Sequence, residues 1–423
     1  MREASERPDP LPAVLAALVR DTGPAPIRYR NGTHRSVRPE ETLDRIRPLL
    51  PGFGITRLAD VTDLDTIGVP VAQAIRPNAR SLAVSQGKGL CIEAAFASAA
   101  MESIELWHAE HHQGERRWAD LEEVAAEEGA RVLQRIPQRR GARLDPRRPI
   151  AWTRACEVHS VRDVWIPEAM VRMDLSDGWR TGVECVAVSS TGLASGNDVL
   201  EAVTHAALEC IERDAAALHQ RRPAAERTDR RLDLDSVRGP DVESLIERCV
   251  GAGLFVAASD ITSDIGIPVF ECIVFDDRAD PYRRLPAALG HGCHVDREVA
   301  LCRALTEALQ SRLTVITGSR DDLTGDDFAW RRLSLEADGV HEQLRAEAAL
   351  RRFDDTPTRS HLTIEEDLAV AVGALRRAGL DELLLVDLTD ASIGIPVVRV
   401  VVPGLECFGV DAVPGPRAGA APR

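Results

Sequence analysis

Three octapeptides decide how this chain is read: SerAlaAlaMetGluSerIleGlu at 98–105, HisAlaAlaLeuGluCysIleGlu at 205–212 and ArgAlaLeuThrGluAlaLeuGln at 303–310. Each sets a polar residue, then Glu four positions on, then an acid or amide three further: Ser98/Glu102/Glu105, His205/Glu209/Glu212 and Arg303/Glu307/Gln310. At about 100° per residue, these offsets fall within roughly 60° of one helix face. Ala, Leu, Ile and Cys fill most other positions, so three largely buried helices are expected. Like charges at i,i+3 repel on an isolated helix. Five carboxylates facing a buried space therefore call for cations, and the pattern outlines a metal site.

Lys88 is the only lysine among 423 residues; the other basic residues of the 52 Lys+Arg are arginines. Either it survives by accident, or a compact ammonium is needed where a planar guanidinium does not fit. It stands between two glycines in SerGlnGlyLysGly (85–89), where backbone can approach a ligand closely. We read it as ligand-facing.

Net charge is −15, which argues against a nucleic-acid or anionic-membrane surface. No run approaches the roughly 18 apolar residues of a membrane span, and the first ten residues lack the apolar stretch of a signal peptide. Nine cysteines are scattered without a Cys-x-x-Cys pair. Cys91, Cys210, Cys249, Cys272 and Cys302 lie inside apolar patterns, as reduced, buried thiols of a cytoplasmic protein do. Hydrophobic residues make up 44%, enough for a substantial core.

A second repeat accompanies the first. Segments starting at Asp60, Asp260 and Asp387 each end in Ile-Gly-(Ile/Val)-Pro-Val and run on into a β-rich stretch. Gly-x-Pro before β-branched residues reads as a turn feeding a strand. The expected fold class is α+β, built from repeated strand–turn–strand units flanked by the acid-bearing helices. Residues 119–149, 221–246 and 318–365 are charged and read as surface helices or connections. Residues 1–10 and the tail from Pro414 read as disordered.

Several familiar chemistries are absent. Gly87-Lys88 is followed by Gly89, and the position five before Gly87 is Leu82, so there is no P-loop. No Gly-x-Gly-x-x-Gly loop follows a strand, and no His-Glu-x-x-His occurs. His108, His111 and His112 close the first acid helix, where cationic histidines are ordinary; His291 and His294 precede the third, in a loop that could approach a ligand. Asp198-x-x-Glu201 has capping-box spacing, which does not exclude a functional role for Glu201. Metal ions bridging carboxylates to phosphate oxygens, with Lys88, Arg213 and Arg303 as counter-charges, fit a nucleoside triphosphate held without a P-loop. A metal-dependent hydrolase stays open on these residues alone.

The same motifs resemble the YcaO family from about residue 28 to 408. The family's Ser-x-x-x-Glu-x-x-Glu-Arg appears as Ser98, Glu102 and Glu105, with Leu106 in place of the usual Arg. The second motif appears as Asn197, Glu201, Glu209, Glu212 and Arg213, and the third as Arg303 and Glu307. Arg35 and Thr42 look like the family's early nucleotide-contacting Lys and Ser. The resemblance implies one catalytic domain over 28–410, an N-terminal extension over 1–27 and a flexible tail over 411–423. It implies Mg²⁺ on Glu102, Glu105, Glu209, Glu212 and Glu307. ATP would lie on Arg35, Thr42, Lys88, Ser98, Asn197, Glu201, Arg213 and Arg303.

Members of the family phosphorylate a peptide amide oxygen with ATP, a nucleophile adds to the activated carbon, and phosphate leaves. Cys or Ser side chains give azolines, an amine an amidine, and sulfide a thioamide. Azoline-forming members often end in Pro-x-Pro-x-Pro, whereas this chain ends ProGlyProArgAlaGlyAlaAlaProArg. Its front half looks most like the subgroup paired with TfuA-like proteins, which implies thioamidation of a ribosomally made peptide or protein. The implied partners are that precursor, a TfuA-like protein and a sulfide donor, with no nucleic acid or membrane; a homodimer is also open. Azoline or amidine formation is the alternative, and a non-catalytic precursor-binding scaffold is the alternative of another class.

Overall fold

The computed structural model describes residues 9–125, 135–176 except 137 and 142–144, 186, 188–277, 285–322, 340–407 and 413–419. Helices α1 (Ala13–Thr22) and α2 (Pro39–Ile46) precede a first unit of β1 (Arg57–Asp60), β2 (Val71–Ile75), β3 (Val84–Lys88) and α3 (Ile92–Glu110). Strands β4 (Arg116–Ala119), β5 (Ile150–Glu157) and β6 (Arg162–Pro167) follow, and β7 (Leu193–Ser195) leads into α4 (Val199–Gln220). After β8 (Leu232–Asp233) and α5 (Pro240–Gly251) comes a second complete unit. It comprises β9 (Leu254–Asp260), β10 (Val269–Asp276), β11 (Ala288–Cys293) and α6 (Arg297–Thr317). The chain continues through β12 (Arg351–Arg352), α7 (Ile364–Arg377) and the hairpin of β13 (Leu384–Asp387) and β14 (Val397–Val401).

The repeated Asp-x-Thr…Gly-x-Pro-Val segments build the same turn three times. Asp60, Asp260 and Asp387 accept the backbone N–H of Thr62, Thr262 and Thr389 at 3.0, 2.9 and 2.9 Å. Each threonine hydroxyl then accepts the N–H of the valine after the proline, at 3.2 Å in all three. Between them Gly68, Gly266 and Gly394 hold φ of 70, 75 and 75°, a left-handed conformation that side-chain-bearing residues resist. The turn chemistry alone thus requires glycine at this position.

Two of the repeats are contiguous, β1-β2-β3-α3 and β9-β10-β11-α6, each a three-stranded antiparallel sheet followed by its helix. The third is assembled out of chain order. Hairpin β13–β14 pairs with β7, from far upstream, in the order β13-β14-β7, and β7 runs into α4. One hydrogen bond fixes the equivalence: Gly89, His294 and Gly196 donate to Pro70, Pro268 and Pro396 carbonyls at 3.2, 3.2 and 3.1 Å. Lys88, Cys293 and Ser195 are therefore equivalent residues, each closing its third strand.

Each helix packs on its own sheet and also against the last strand of a neighbouring unit: α3 on β7, α4 on β11, α6 on β3. The three units close into a cycle. Helix and strand backbones meet closely: a Cβ on Gly87 would lie 2.1 Å from Ala99 N, and one on Gly292 2.2 Å from Ala300 O. Apolar cores fill the spaces between each helix and its sheet, around Trp152 and Ile104, around Leu200 and Leu368, and around Phe270 and Leu305. The strand–turn–strand units and buried helices expected from the repeats are present.

The charged segments are less peripheral than expected. Residues 221–246 include the start of α5, which buries Val242 and Leu245 in a core. Parts of 119–149 and 318–365, and residues 1–8 and 420–423, lie outside the described residues. In the tail read as disordered, Pro416–Gly419 form a helical turn. There Arg417 bonds Asp214 at 3.0 Å, so a buried carboxylate ties the segment down. No helix among the described residues is long and apolar enough to cross a membrane, and the eight described cysteines are free.

Candidate nucleotide and metal site

Where the three units meet, they enclose a cavity of about 480 Å³, and all thirteen residues singled out from the sequence line it. The cause is register. Helices α3, α4 and α6 start after equivalent caps Cys91, Asp198 and Asp296, and Glu102, Glu209 and Glu307 each stand eleven residues further on. Equivalent helices thus turn the same face to the centre. Ser98, His205 and Arg303 lie one turn before these acids, and Glu105, Glu212 and Gln310 one turn after.

Burial sets the electrostatics. It raises the Glu105 carboxyl to about 8, although Ser195 donates to its Oε1 from both backbone N–H and hydroxyl at 2.7 Å. Burial likewise raises Glu102 to about 7, opposed by the charges of Arg320 and Lys88. Glu209 is raised too, with Arg213 pulling the other way. Burial would also raise Glu307, but Lys88 Nζ at 2.7 Å and Arg213 hold it well below the ordinary range. Arg213 lies 3.4 Å from Glu212 and 3.7 Å from Glu307. Carboxyls that burial protonates are carboxyls short of cations.

The other end of the cavity is held by Glu201. Its Oε2 accepts the Ser36 N–H and hydroxyl at 2.9 and 3.0 Å, and its Oε1 accepts Arg35 and Asn197 at 3.1 and 3.0 Å. Asp198 caps the Glu201 N–H, as the spacing suggested. With both oxygens occupied, Glu201 positions Arg35 and Asn197. Thr42 in turn donates to Asn197 Oδ1 at 2.8 Å. Arg303 donates to His205 Nε2 at 3.2 Å, and burial keeps that imidazole neutral.

The histidines at and just beyond the end of α3 stay out of the cavity. His108 and His111 bond the Ile104 and Trp107 carbonyls through Nδ1. Burial lowers His108, and lowers His112 to about 4, so these two are neutral and not the cations expected at a helix end. His291 pairs with Glu271 at 3.2 Å. His294 joins His34 and His361 around buried Asp367, which accepts His34 Nδ1 at 2.8 Å and His361 Nδ1 at 2.9 Å. The Asp296 N–H donates to His294 Nδ1, so its Nε2 carries the proton facing Asp367 and is no metal ligand in that tautomer. This cluster anchors the loop that carries Arg35.

Sequence reasoning missed Arg320, Leu82, Met101 and Met173, which complete the wall beyond Glu102 and Glu105. Arg320 follows α6 in a loop with no periodic signal, held where Asp321 accepts the Ala83 N–H. Leu106, in place of the expected Arg, is buried and makes this end of the wall apolar. The positive charge near Glu102 comes from Arg320 and Lys88 instead.

The donor set suits a polyanion bridged by divalent ions. One oxygen of Glu212 and Nε of Arg303 are buried without a hydrogen-bond partner among the described residues. Hard carboxylate oxygens of this number favour Mg²⁺ that retains water or phosphate ligands. Residues 86–406 match a family described as YcaO cyclodehydratase, ATP- and Mg²⁺-binding. A protein from Rhizobium leguminosarum bv. trifolii, named only as uncharacterized in the tfuA 3′ region, is 37% identical over 381 residues, 88% of each chain. One from Methanothermobacter thermautotrophicus is 35% identical, covering 89% of this chain and 96% of its own.

Among solved structures, a heterocyclase in complex with substrate and cofactor superposes with a TM-score of 0.72 at 25% identity. That match covers 92% of this chain but 56% of the heterocyclase. YcaO from Methanopyrus kandleri bound with AMPPCP and Mg²⁺ superposes with a TM-score of 0.67 at 24% identity, covering 90% and 94%. The chain belongs to the YcaO family, whose members bind ATP and Mg²⁺.

Proposed function

We propose that this protein uses ATP and Mg²⁺ to activate a backbone amide of a ribosomally made peptide or protein, and that sulfide then converts it to a thioamide. The observation that carries the reading is the convergence of Glu102, Glu105, Glu209, Glu212 and Glu307 with Lys88, Arg213 and Arg303 in one cavity without a P-loop. When bound, Mg²⁺ supplies charge neutralisation for a transferring phosphoryl group. The glutamates would hold it, while Lys88, Arg213 and Arg303 bind phosphate oxygens. Arg35, Thr42 and Asn197, fixed by Glu201, would orient the nucleoside end.

The chemistry balances. The amide oxygen attacks the γ-phosphorus and ADP leaves; hydrosulfide adds at the activated carbon; the oxygen departs as phosphate, and a proton is lost. An amide oxygen is a poor leaving group, and its phosphate ester is a good one, so the protein's task is positioning and charge stabilisation. The apolar wall of Leu82, Met101, Leu106 and Met173 suits a peptide segment next to the glutamates. The relative in the tfuA 3′ region supports a TfuA-like partner and, with it, sulfide as the nucleophile.

Similarity to the heterocyclase favours azoline formation as the second reading. Purified protein, precursor peptide, ATP, sulfide and the TfuA-like partner, followed by mass spectrometry, separates the two. Exchange of oxygen for sulfur supports thioamidation; loss of water means cyclodehydration; an unchanged precursor in the presence of ATP turnover refutes both. Free cysteines and the absence of a spanning helix among the described residues are in keeping with the cytoplasm.

A further inference from the structure

Three strand–helix interfaces surround the cavity in equivalent positions, yet their chemistry differs. Where α3 meets β7, Glu102 and Glu105 stand one turn apart and the closing strand residue is the hydroxyl-bearing Ser195. Where α4 meets β11, Glu209 and Glu212 form the same pair and the strand residue is Cys293. That thiol is fully buried and beside the charge of Glu212, which keeps it protonated. Where α6 meets β3, the second acid is replaced by Gln310 and the strand residue is Lys88, with Nζ 2.7 Å from Glu307.

Two interfaces therefore carry two acids and a neutral strand residue. The third carries one acid, one amide and an ammonium, and is neutral by itself. An acid at 310 would leave a surplus charge beside a single ammonium, so the Gln and the Lys go together. The ammonium is also the compact point charge among basic side chains, whereas a guanidinium is planar and broad. This is the one lysine in the chain.

We infer that Lys88 is a covalently tethered substitute for one further divalent ion, filling at the α6/β3 interface the cation position that carboxylate pairs mark at the other two, beside the Mg²⁺ that Glu307 would share with the other glutamates. The inference rests on the Mg²⁺–ATP reading of the cavity. A tethered charge is in place before nucleotide or metal arrives and cannot be diluted away. The site therefore keeps one polyphosphate contact preorganised at any metal concentration.

The test restores the missing equivalence. Lys88→Ser combined with Gln310→Glu gives the third interface the Ser-Glu-Glu set found where α3 meets β7. Mn²⁺ is titrated into wild type and variants with a saturating nonhydrolysable ATP analogue, and free Mn²⁺ is counted by EPR. The double variant should bind one Mn²⁺ more per chain than wild type, and Gln310→Glu alone none more. A folded double variant with unchanged stoichiometry overturns the inference, as does an extra ion in Gln310→Glu with Lys88 intact. If the double variant does not fold, the single variant decides, because it retains the Lys88–Glu307 pair. Wild type that binds neither Mn²⁺ nor nucleotide overturns the reading of the cavity itself and this inference with it.

Discussion

Mg²⁺ entering this cavity should expel protons. Burial holds Glu105 at about 8 and Glu102 at about 7 in the metal-free protein, and metal binding requires both ionised. At pH 7 about nine-tenths of Glu105 and half of Glu102 are protonated, so metal binding should release roughly 1.4 protons. Apparent Mg²⁺ affinity should then rise roughly tenfold from pH 7 to pH 8 and level off above about pH 9. The sign extends to stability. Above the unfolded carboxyl value the folded protein binds the extra protons, so the metal-free protein weakens as pH rises toward about 8, and Mg²⁺ offsets the loss. Calorimetric titration of Mg²⁺ in buffers of different ionisation enthalpy, with a nonhydrolysable ATP analogue present, reads proton release as a slope. Glu105→Gln should remove most of the slope at pH 8. Heats that do not depend on the buffer at pH 7, in protein that does bind Mg²⁺, would refute the argument.

Gly87→Ala places a methyl against the α3 backbone at Ala99; we expect a loss of about 2–3 kcal/mol and a lower Tm by calorimetry. Arg76→Met strands Glu110, which is fully buried and now accepts both Arg76 nitrogens at 2.5 and 2.6 Å; denaturant unfolding should show a loss of about 3–5 kcal/mol. Burial would raise Asp367, but hydrogen bonds from His34 and His361 hold it at about 2. A lowered carboxyl stabilises above its unfolded value, so roughly 2 kcal/mol should be lost as pH falls from about 4 through 2. Asp367→Asn should remove that acid limb from the pH profile of stability.

The cavity could be read from the chain because helix periodicity places residues three, four and seven apart on one face without any knowledge of tertiary contacts. Glu102/Glu105 and Glu209/Glu212 converge for that reason. The turn repeats were equally visible, since Asp-x-Thr and Gly-x-Pro are local hydrogen-bond chemistry. What could not be read was the partner of the last repeat: nothing local pairs Val397 with Ser195. Arg320 was hidden likewise, since its placement depends on Asp321 meeting the Ala83 backbone just before β3. His108 and His112 misled because their charge state follows burial, which a helix-end rule does not include. The tail around Arg417 misled because one buried carboxylate, Asp214, outweighs a disorder-prone composition.

The out-of-order third repeat also governs when a working molecule can exist during synthesis. Residues 57–317 contain every acid of the cavity, yet the sheet beneath α4 lacks two of its strands until 384–401 have been made. A ribosome-bound chain between residue 317 and that point would hold five glutamates on helices while β7, the strand that receives α3, still lacks its sheet partner β14. Ring closure depends on contacts distant along the chain, which form slowly. Premature termination between residue 317 and the final hairpin should therefore leave two intact repeats and no competent centre.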